Sequence, residues 1–360
     1  MQHAEPNFTG GLARRLMRAG CLLLLALLPA ACSIDLSEHP SPVPALTVTP
    51  PGHETTIHLI GHLVFIQSHA DLVQLDLQSG QTSTLFHAPH NAWLAAAAVS
   101  PDGKQVVIAY ASAPKNPLQQ IAYTDLDILS ADGSDTPRVL VQRTDPKEEF
   151  AFPQWSADGR YIYYAHTIPD TTGLVVQYTY TIERVAYPAG QPQKLIENAI
   201  WPRLSPDGKK LAYVSFNPQI VENDLYIADV DGTHAQLVVP AGTFYAVDAP
   251  LFSRDSQALI FSAVGGPAAS QLSSYQFISA RQPNVLKHNI PSDWWRVDLA
   301  TGKITSLTRM GDIGLYGDFS PDGQHIAFVA ASGLYLMNSD GSNLTQLIND
   351  GPEGTISWIP

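Results

Sequence analysis

Cysteine is almost missing from this 360-residue chain. Cys21 and Cys32 are the only two, both near the N-terminus, so no disulfide staples the body of the protein and its core must hold itself. Basic charge is also scarce. Twenty Lys and Arg stand against 33 Asp and Glu, giving a net charge of −13, or −15 once residues 1–31 are set aside with Glu5, Arg14, Arg15 and Arg18. A nucleic-acid surface needs the opposite sign. The chain has no Gly-x-Ser-x-Gly elbow, no P-loop, no His-Glu-x-x-His and no Cys-x-x-Cys. The familiar routes to serine hydrolysis, nucleotide binding, zinc proteolysis and thiol redox chemistry are therefore unsignalled, and no cofactor is expected.

What is present begins with an address. Arg14, Arg15 and Arg18 precede the apolar run Cys21–Leu28, which is followed by Ala30, Ala31 and Cys32. The run is too short to span a bilayer as a helix, and the order of basic, apolar and small residues is that of a secretory signal over residues 1–31. The stretch Leu28-Pro29-Ala30-Ala31-Cys32 resembles a bacterial lipobox, with Pro29 where Leu is usual; the resemblance implies lipidation of Cys32 and anchoring to a membrane of the cell envelope. Residues 32–56 carry Pro40, Pro42, Pro44, Pro50 and Pro51 among Ser and Thr, the composition of an extended tether.

The remainder, residues 57–360, repeats. Ser100-Pro101-Asp102-Gly103 recurs as Ser156-Ala157-Asp158-Gly159, Ser205-Pro206-Asp207-Gly208, Ser253-Arg254-Asp255-Ser256 and Ser320-Pro321-Asp322-Gly323, with turn aspartates 56, 49, 48 and 67 residues apart. Pro presets φ, Asp suits the third turn position and Gly accepts a left-handed backbone, so each motif turns one strand into the next; Ser256 in place of Gly predicts a different turn there. A β-rich run follows each turn. Then come a second strand marked by Asp, as in Asp224-Leu225-Tyr226, a Gly-bearing turn and a further strand. Four strands per repeat make a propeller blade. The repeat from Tyr178 to Gly190 departs from this, with Tyr and Thr where the Asp marks belong.

The chain ends in Thr355-Ile356-Ser357-Trp358-Ile359-Pro360, which matches the strand before a turn, whereas the first β-rich run, His58–Ile66, has no such strand before it. Each defect completes the other. The expected fold is all-β: a six-bladed β-propeller of four antiparallel strands per blade, closed by the C-terminal strand entering the N-terminal blade. The Ser-Pro-Asp-Gly repeats over residues 57–360 resemble the WD-like repeats of the TolB family. That resemblance implies a propeller. Its functional content is thin, because such repeats also occur in the propeller halves of prolyl oligopeptidase-like enzymes and in other lipoproteins.

A binding or scaffolding role follows as the expectation, in a monomer that recognises an envelope protein, peptide or glycan through the face carrying the longer loops, 111–121, 166–174, 216–223 and the insertion 264–292. The insertion contributes Tyr275 and Phe277. Aligned innermost strands place Gln154, Arg203, Asp318 and Ser357 in one row of the central channel, and Phe152, Trp201 and Tyr316 in a second row two residues nearer the loop face. The alternative is a hydrolase or lyase in the channel using Asp318, Asp248 or Glu149 with Arg203 as charge partner. His53, His58, His62, His69, His87 and His90 crowd residues 53–90, but no carboxylate stands at a fixed offset, so no metal site is expected.

Overall fold

The computed structural model describes residues 59–114, 123–170, 172–173, 177–217, 222–266, 290–349 and 351–360. The signal segment, Cys32, the tether, His53, His58, Tyr275 and Phe277 lie outside them.

The described residues form 24 strands in six four-stranded antiparallel sheets. Blade one combines β24 (Pro352–Ile359) with β1 (His62–Gln67), β2 (Asp71–Asp76) and β3 (Thr82–His87). Blade two is β4 (Trp93–Val99), β5 (Gln105–Ala111), β6 (Asp125–Ser130) and β7 (Arg138–Val141). Blade three is β8 (Glu149–Trp155), β9 (Tyr161–Asp170), β10 (Gln177–Ala186) and β11 (Gln193–Glu197). Blade four is β12 (Ala199–Leu204), β13 (Lys210–Asn217), β14 (Glu222–Asp229) and β15 (Gln236–Val239). Blade five is β16 (Ala246–Phe252), β17 (Ala258–Val264), β18 (Asp293–Asp298) and β19 (Ile304–Ser306). Blade six is β20 (Tyr316–Phe319), β21 (His325–Ala330), β22 (Gly333–Asn338) and β23 (Thr345–Asn349). Strand β1 starts four residues later than the sequence pattern suggests because Gly61, at φ 91°, turns the chain hard against the Ile359 carbonyl.

Buried apolar side chains sort into six clusters, one for each neighbouring pair of blades. Leu63, Phe65, Leu334 and Trp358 join blades one and six, for example, and Phe150, Trp155, Val107 and Ile128 join two and three. Six interfaces for six blades leave no end blade to cap, so the ring is closed. In the split blade Leu63 lies opposite Trp358 and Phe65 opposite Ile356. Side chains fasten the inserted strand. The Thr355 hydroxyl donates to the Ala97 carbonyl and accepts from the Ala97 N–H, both at 2.7 Å, the Val99 N–H donates to Ser357 Oγ at 3.3 Å, and the Trp358 indole donates to the Ile60 carbonyl at 3.1 Å.

The repeated turn is a clasp. In all five copies the Ser hydroxyl donates to its Asp Oδ1 at 2.5–2.7 Å and accepts the backbone N–H five residues on at 2.8–2.9 Å. These hydroxyl bonds, helped by a backbone N–H, hold the five carboxyls below the usual range, with Asp158 at about 2. Ser256 does not change the turn as expected. It adopts φ 57°, and its N–H reaches the Ser253 carbonyl at 2.8 Å, as Gly does in the other copies.

Candidate functional site

The axis of the ring is lined by β4, β8, β12, β16, β20 and β24. Three of these strands, β8, β12 and β16, break register at the same point, between Ala151 and Gln154, Ile200 and Arg203, and Asp248 and Leu251. The bulged residue is left-handed each time: Phe152 at φ 52°, Trp201 at 52° and Ala249 at 45°. Each precedes a proline, Pro153, Pro202 or Pro250, whose missing N–H suits a position outside the ladder. Two large aromatic residues held at positive φ are strained, and the consequence is a change of side-chain direction.

That change closes the channel. Phe152 stacks on Tyr316 from the opposite blade with ring centroids 5.7 Å apart, and meets Trp201 at the same distance; the Trp201 indole N–H points at the Tyr316 hydroxyl, 3.4 Å away. Ala249 leaves room for this pairing across blade five. The sequence places these three aromatics correctly in one row, but they form a floor across the axis and not an open mouth. Between this floor and the polar row the residual space is about 30 Å³, enough for little more than water.

On the turn side of the floor the axis widens into a funnel of about 370 Å³ that Gln154, Arg203, Asp318 and Ser357 all line, together with Arg254, Trp155 and Trp358. The polar row therefore comes together as the sequence alignment predicts. Arg203 donates through Nη2 to Asp318 Oδ1, which also accepts the Phe319 N–H at 3.0 Å, and Asp318 Oδ2 accepts the Trp358 N–H at 2.9 Å. One carboxylate thus ties blade four to blade six and to the inserted C-terminal strand. A side groove of about 370 Å³ runs out between the turns of blades two and three, over Trp155 and Tyr187, whose rings meet edge to face at 4.9 Å.

The carboxylates named for catalysis do not converge. Asp318 follows the aromatic floor in its strand and faces the funnel, whereas Glu149 and Asp248 precede it in theirs and line neither cavity along the axis. Burial pushes Glu149 up to about 7, Arg143 offsetting only part of the effect. Its neighbours were not read from the sequence as site residues. Tyr123 and Tyr178 have hydroxyls 3.4 Å apart, and Tyr180 is buried beside them. The signal for Tyr178 and Tyr180 was the blade-three repeat that lacks its Asp marks.

Three histidines of the early repeat are paired one to one with different carboxylates: His62 with Asp76 at 3.5 Å, His87 with Asp71 at 2.6 Å and His69 with Glu353 at 2.6 Å. A separate group escaped the sequence altogether. His166 Nδ1 lies 3.0 Å from Glu183 Oε1 and its Nε2 3.9 Å from Glu148, between blades two and three. Burial raises Glu183, but hydrogen bonds from His166, Tyr164 and Thr181 outweigh it and hold the carboxyl below its ordinary value.

A family model described as the dipeptidyl peptidase IV (DPP IV) N-terminal region matches residues 270–358. Among solved structures, TolB from Acinetobacter baumannii is 18% identical, with 83% of this chain and 67% of that one covered and a TM-score of 0.59. A putative TolB from Agrobacterium tumefaciens is also 18% identical, with 84% and 99% covered and a TM-score of 0.54. A chain of the nidogen/laminin complex is 14% identical, with 82% and 97% covered and a TM-score of 0.57. No curated protein matches the chain. At these identities the likeness shows the fold, a TolB-like six-bladed β-propeller.

Proposed function

We propose that this chain is a non-catalytic binding propeller of the bacterial cell envelope, tethered through a lipid on Cys32, and that it receives a protein, peptide or glycan in the funnel on its turn face instead of on the loop face that the sequence favoured. The observation that carries this reading is the aromatic floor. Phe152, Trp201 and Tyr316 turn the channel into a blind funnel of about 370 Å³, a concave receptor with a rigid base. Its polar groups favour recognition over turnover. Asp318 accepts hydrogen bonds from Arg203 and two backbone N–H groups, so both of its oxygens are already engaged in holding three blades together. The Arg-rich, apolar and alanine segments before Cys32 support export and anchoring.

The test fills the funnel. Gln154 projects into it with exposed surface, so Gln154→Trp should block entry without disturbing a blade interface. Envelope material captured by the wild-type chain should be lost with Gln154→Trp while thermal unfolding is unchanged. Capture that survives Gln154→Trp but disappears on deleting residues 265–290 would move recognition to the insertion bearing Tyr275 and Phe277 and overturn the funnel reading.

A further inference from the structure

The loop-side end of the axis has a chemistry that the funnel lacks. Glu149 opens β8 beside Tyr123, and its carboxylate has no hydrogen bond or ion pair among the described residues. The nearest base, Arg143, is bound to Asp125 through Nε at 3.0 Å and Nη2 at 3.3 Å. A hydrogen bond with Tyr178 pushes the Tyr123 phenol up to about 12, burial raises those of Tyr180 and Tyr316, and the nearby Glu149 charge adds to all three. Asp248, 4% exposed, adds its own charge next to Tyr316. Glu148, Glu183 and His166 belong to the other side of β8, where Phe150 packs on the His166 ring at 4.5 Å. Among the described residues, the groups facing this end are thus two carboxylates, four phenols and the rings of Phe152 and Trp201, and Arg143 is the one base that reaches Glu149.

Glu149, Tyr123, Tyr178, Tyr316 and Phe152 are each only half-buried, so a solute reaches them. A carboxylate held among aromatic faces, away from bulk water and without its own cation, is costly in the ionised state. An incoming cation relieves that cost, and aromatic faces attract the same cation through their quadrupoles, most strongly where water is displaced. An ammonium or guanidinium satisfies both demands. A neutral solute of the same shape satisfies neither.

We propose that the loop-side end of the axis is a receptor for an organic cation, an ammonium or guanidinium group seated against Glu149 and the surrounding Tyr123, Tyr178 and Tyr316 rings. The site lies on the opposite side of the aromatic floor from the funnel, so it stands or falls independently of the funnel reading.

The experiment titrates the full chain with arginine amide, tetramethylammonium and the neutral isostere neopentanol, following heat and intrinsic fluorescence. At least one cation should saturate the protein and neopentanol should not; arginine amide binding more tightly points to a peptide side chain, and tetramethylammonium to a quaternary amine. Glu149→Gln should weaken the cation at least tenfold. In the wild type, affinity should rise between pH 6 and 8 as Glu149 ionises, and Glu149→Gln should flatten that rise, which a purely structural role would not do. Tyr178→Leu, at a strand end, keeps the carboxylate and should weaken binding at least threefold, with the pH profile retained. Equal affinity in Glu149→Gln, equal affinity for neopentanol, or saturation by calcium in place of both organic cations overturns the proposal. Gln154→Trp should leave cation binding unchanged.

Discussion

The inserted strand is the point at which the closed ring is most open to challenge, and Trp358→Ala tests it. Trp358 is 6% exposed, sits opposite Leu63 in the split blade, packs with Phe65, Leu334 and Leu336, and donates its indole N–H to the Ile60 carbonyl. Truncating a buried Trp costs about 3–5 kcal/mol when the cavity does not collapse, and the interface between blades one and six is held from both sides by paired strands. That is a large share of the roughly 5–15 kcal/mol by which a domain is stable. At about 2–4 °C per kcal/mol for a domain of this size, the melting midpoint should fall by about 10 °C. Leu237→Ala, at a position 51% exposed on an outer strand, is the control and should move the midpoint by less than 2 °C, roughly the reach of a surface change. Scanning calorimetry or circular dichroism reads both. A Trp358→Ala loss no larger than that of Leu237→Ala would show that the C-terminal strand does not close the ring in solution. Deleting Thr355–Pro360 should go further, leaving β1 with an unpaired inner edge and breaking the single cooperative transition.

Ser256→Gly relieves a left-handed serine and should stabilise the protein by about 1 kcal/mol in thermal unfolding, while Gly208→Ser at the equivalent turn should cost about as much. Asp318→Ala should destabilise by about 2 kcal/mol and more than Arg203→Ala does, because it removes an acceptor from the Trp358 N–H as well as the guanidinium, whereas Asp318 without Arg203 still has two backbone donors. Asp127, 6% exposed with Oδ1 unpartnered, is pushed up to about 7 by burial and by Asp125, against a weaker lowering by Arg143. The folded state therefore holds this proton more tightly than the unfolded state, and stability falls as pH rises from about 4 to 7. Asp127→Asn should remove that part of the slope and gain on the order of 2 kcal/mol at pH 8 with no gain at pH 4; urea unfolding at the two pH values that shows equal effects would refute the assignment.

The blade count, the split blade and the two channel rows were legible because they rest on repetition. A turn signal seen five times fixes five strand boundaries, and alignment then sorts the residues between boundaries into rows. The role of the repeated serine was not legible, since its bonds to Asp Oδ1 and to a backbone N–H five residues on depend on the folded turn. The bulges escaped for a similar reason, although a signal existed: Pro153, Pro202 and Pro250 each stand three residues before the turn serine. Proline within an inner strand marks a position that gives up its ladder bond, and the residue before it is the one thrown into the channel. The His166 group left no trace, because Glu148, His166 and Glu183 come from the residue just before β8 and from β9 and β10, and only the register of those paired strands in blade three brings them together.

The places where the repeat fails are therefore the informative ones. Where five blades carry the same residue, the turn geometry accounts for it, as with the turn aspartates whose Oδ1 atoms are occupied by their own serines. Blade three loses its Asp marks and gains Tyr178 and Tyr180 beside Glu149, which has no hydrogen bond or ion pair among the described residues, and the same blade supplies Phe152 to the floor and Gln154 to the funnel. A blade that contributes to both ends of the axis couples them only if its inner strand moves as a unit. Pro153 stands between Phe152 and Gln154 and the strained φ of Phe152 fixes their relative direction, so a ligand at one end shifts the other only by displacing the floor itself. Phe152→Ala removes that rigid contact and opens the axis between the two ends. Cation binding at Glu149 that becomes sensitive to Gln154→Trp in this background, but not in the wild type, would identify the floor as the barrier that keeps the two sites independent.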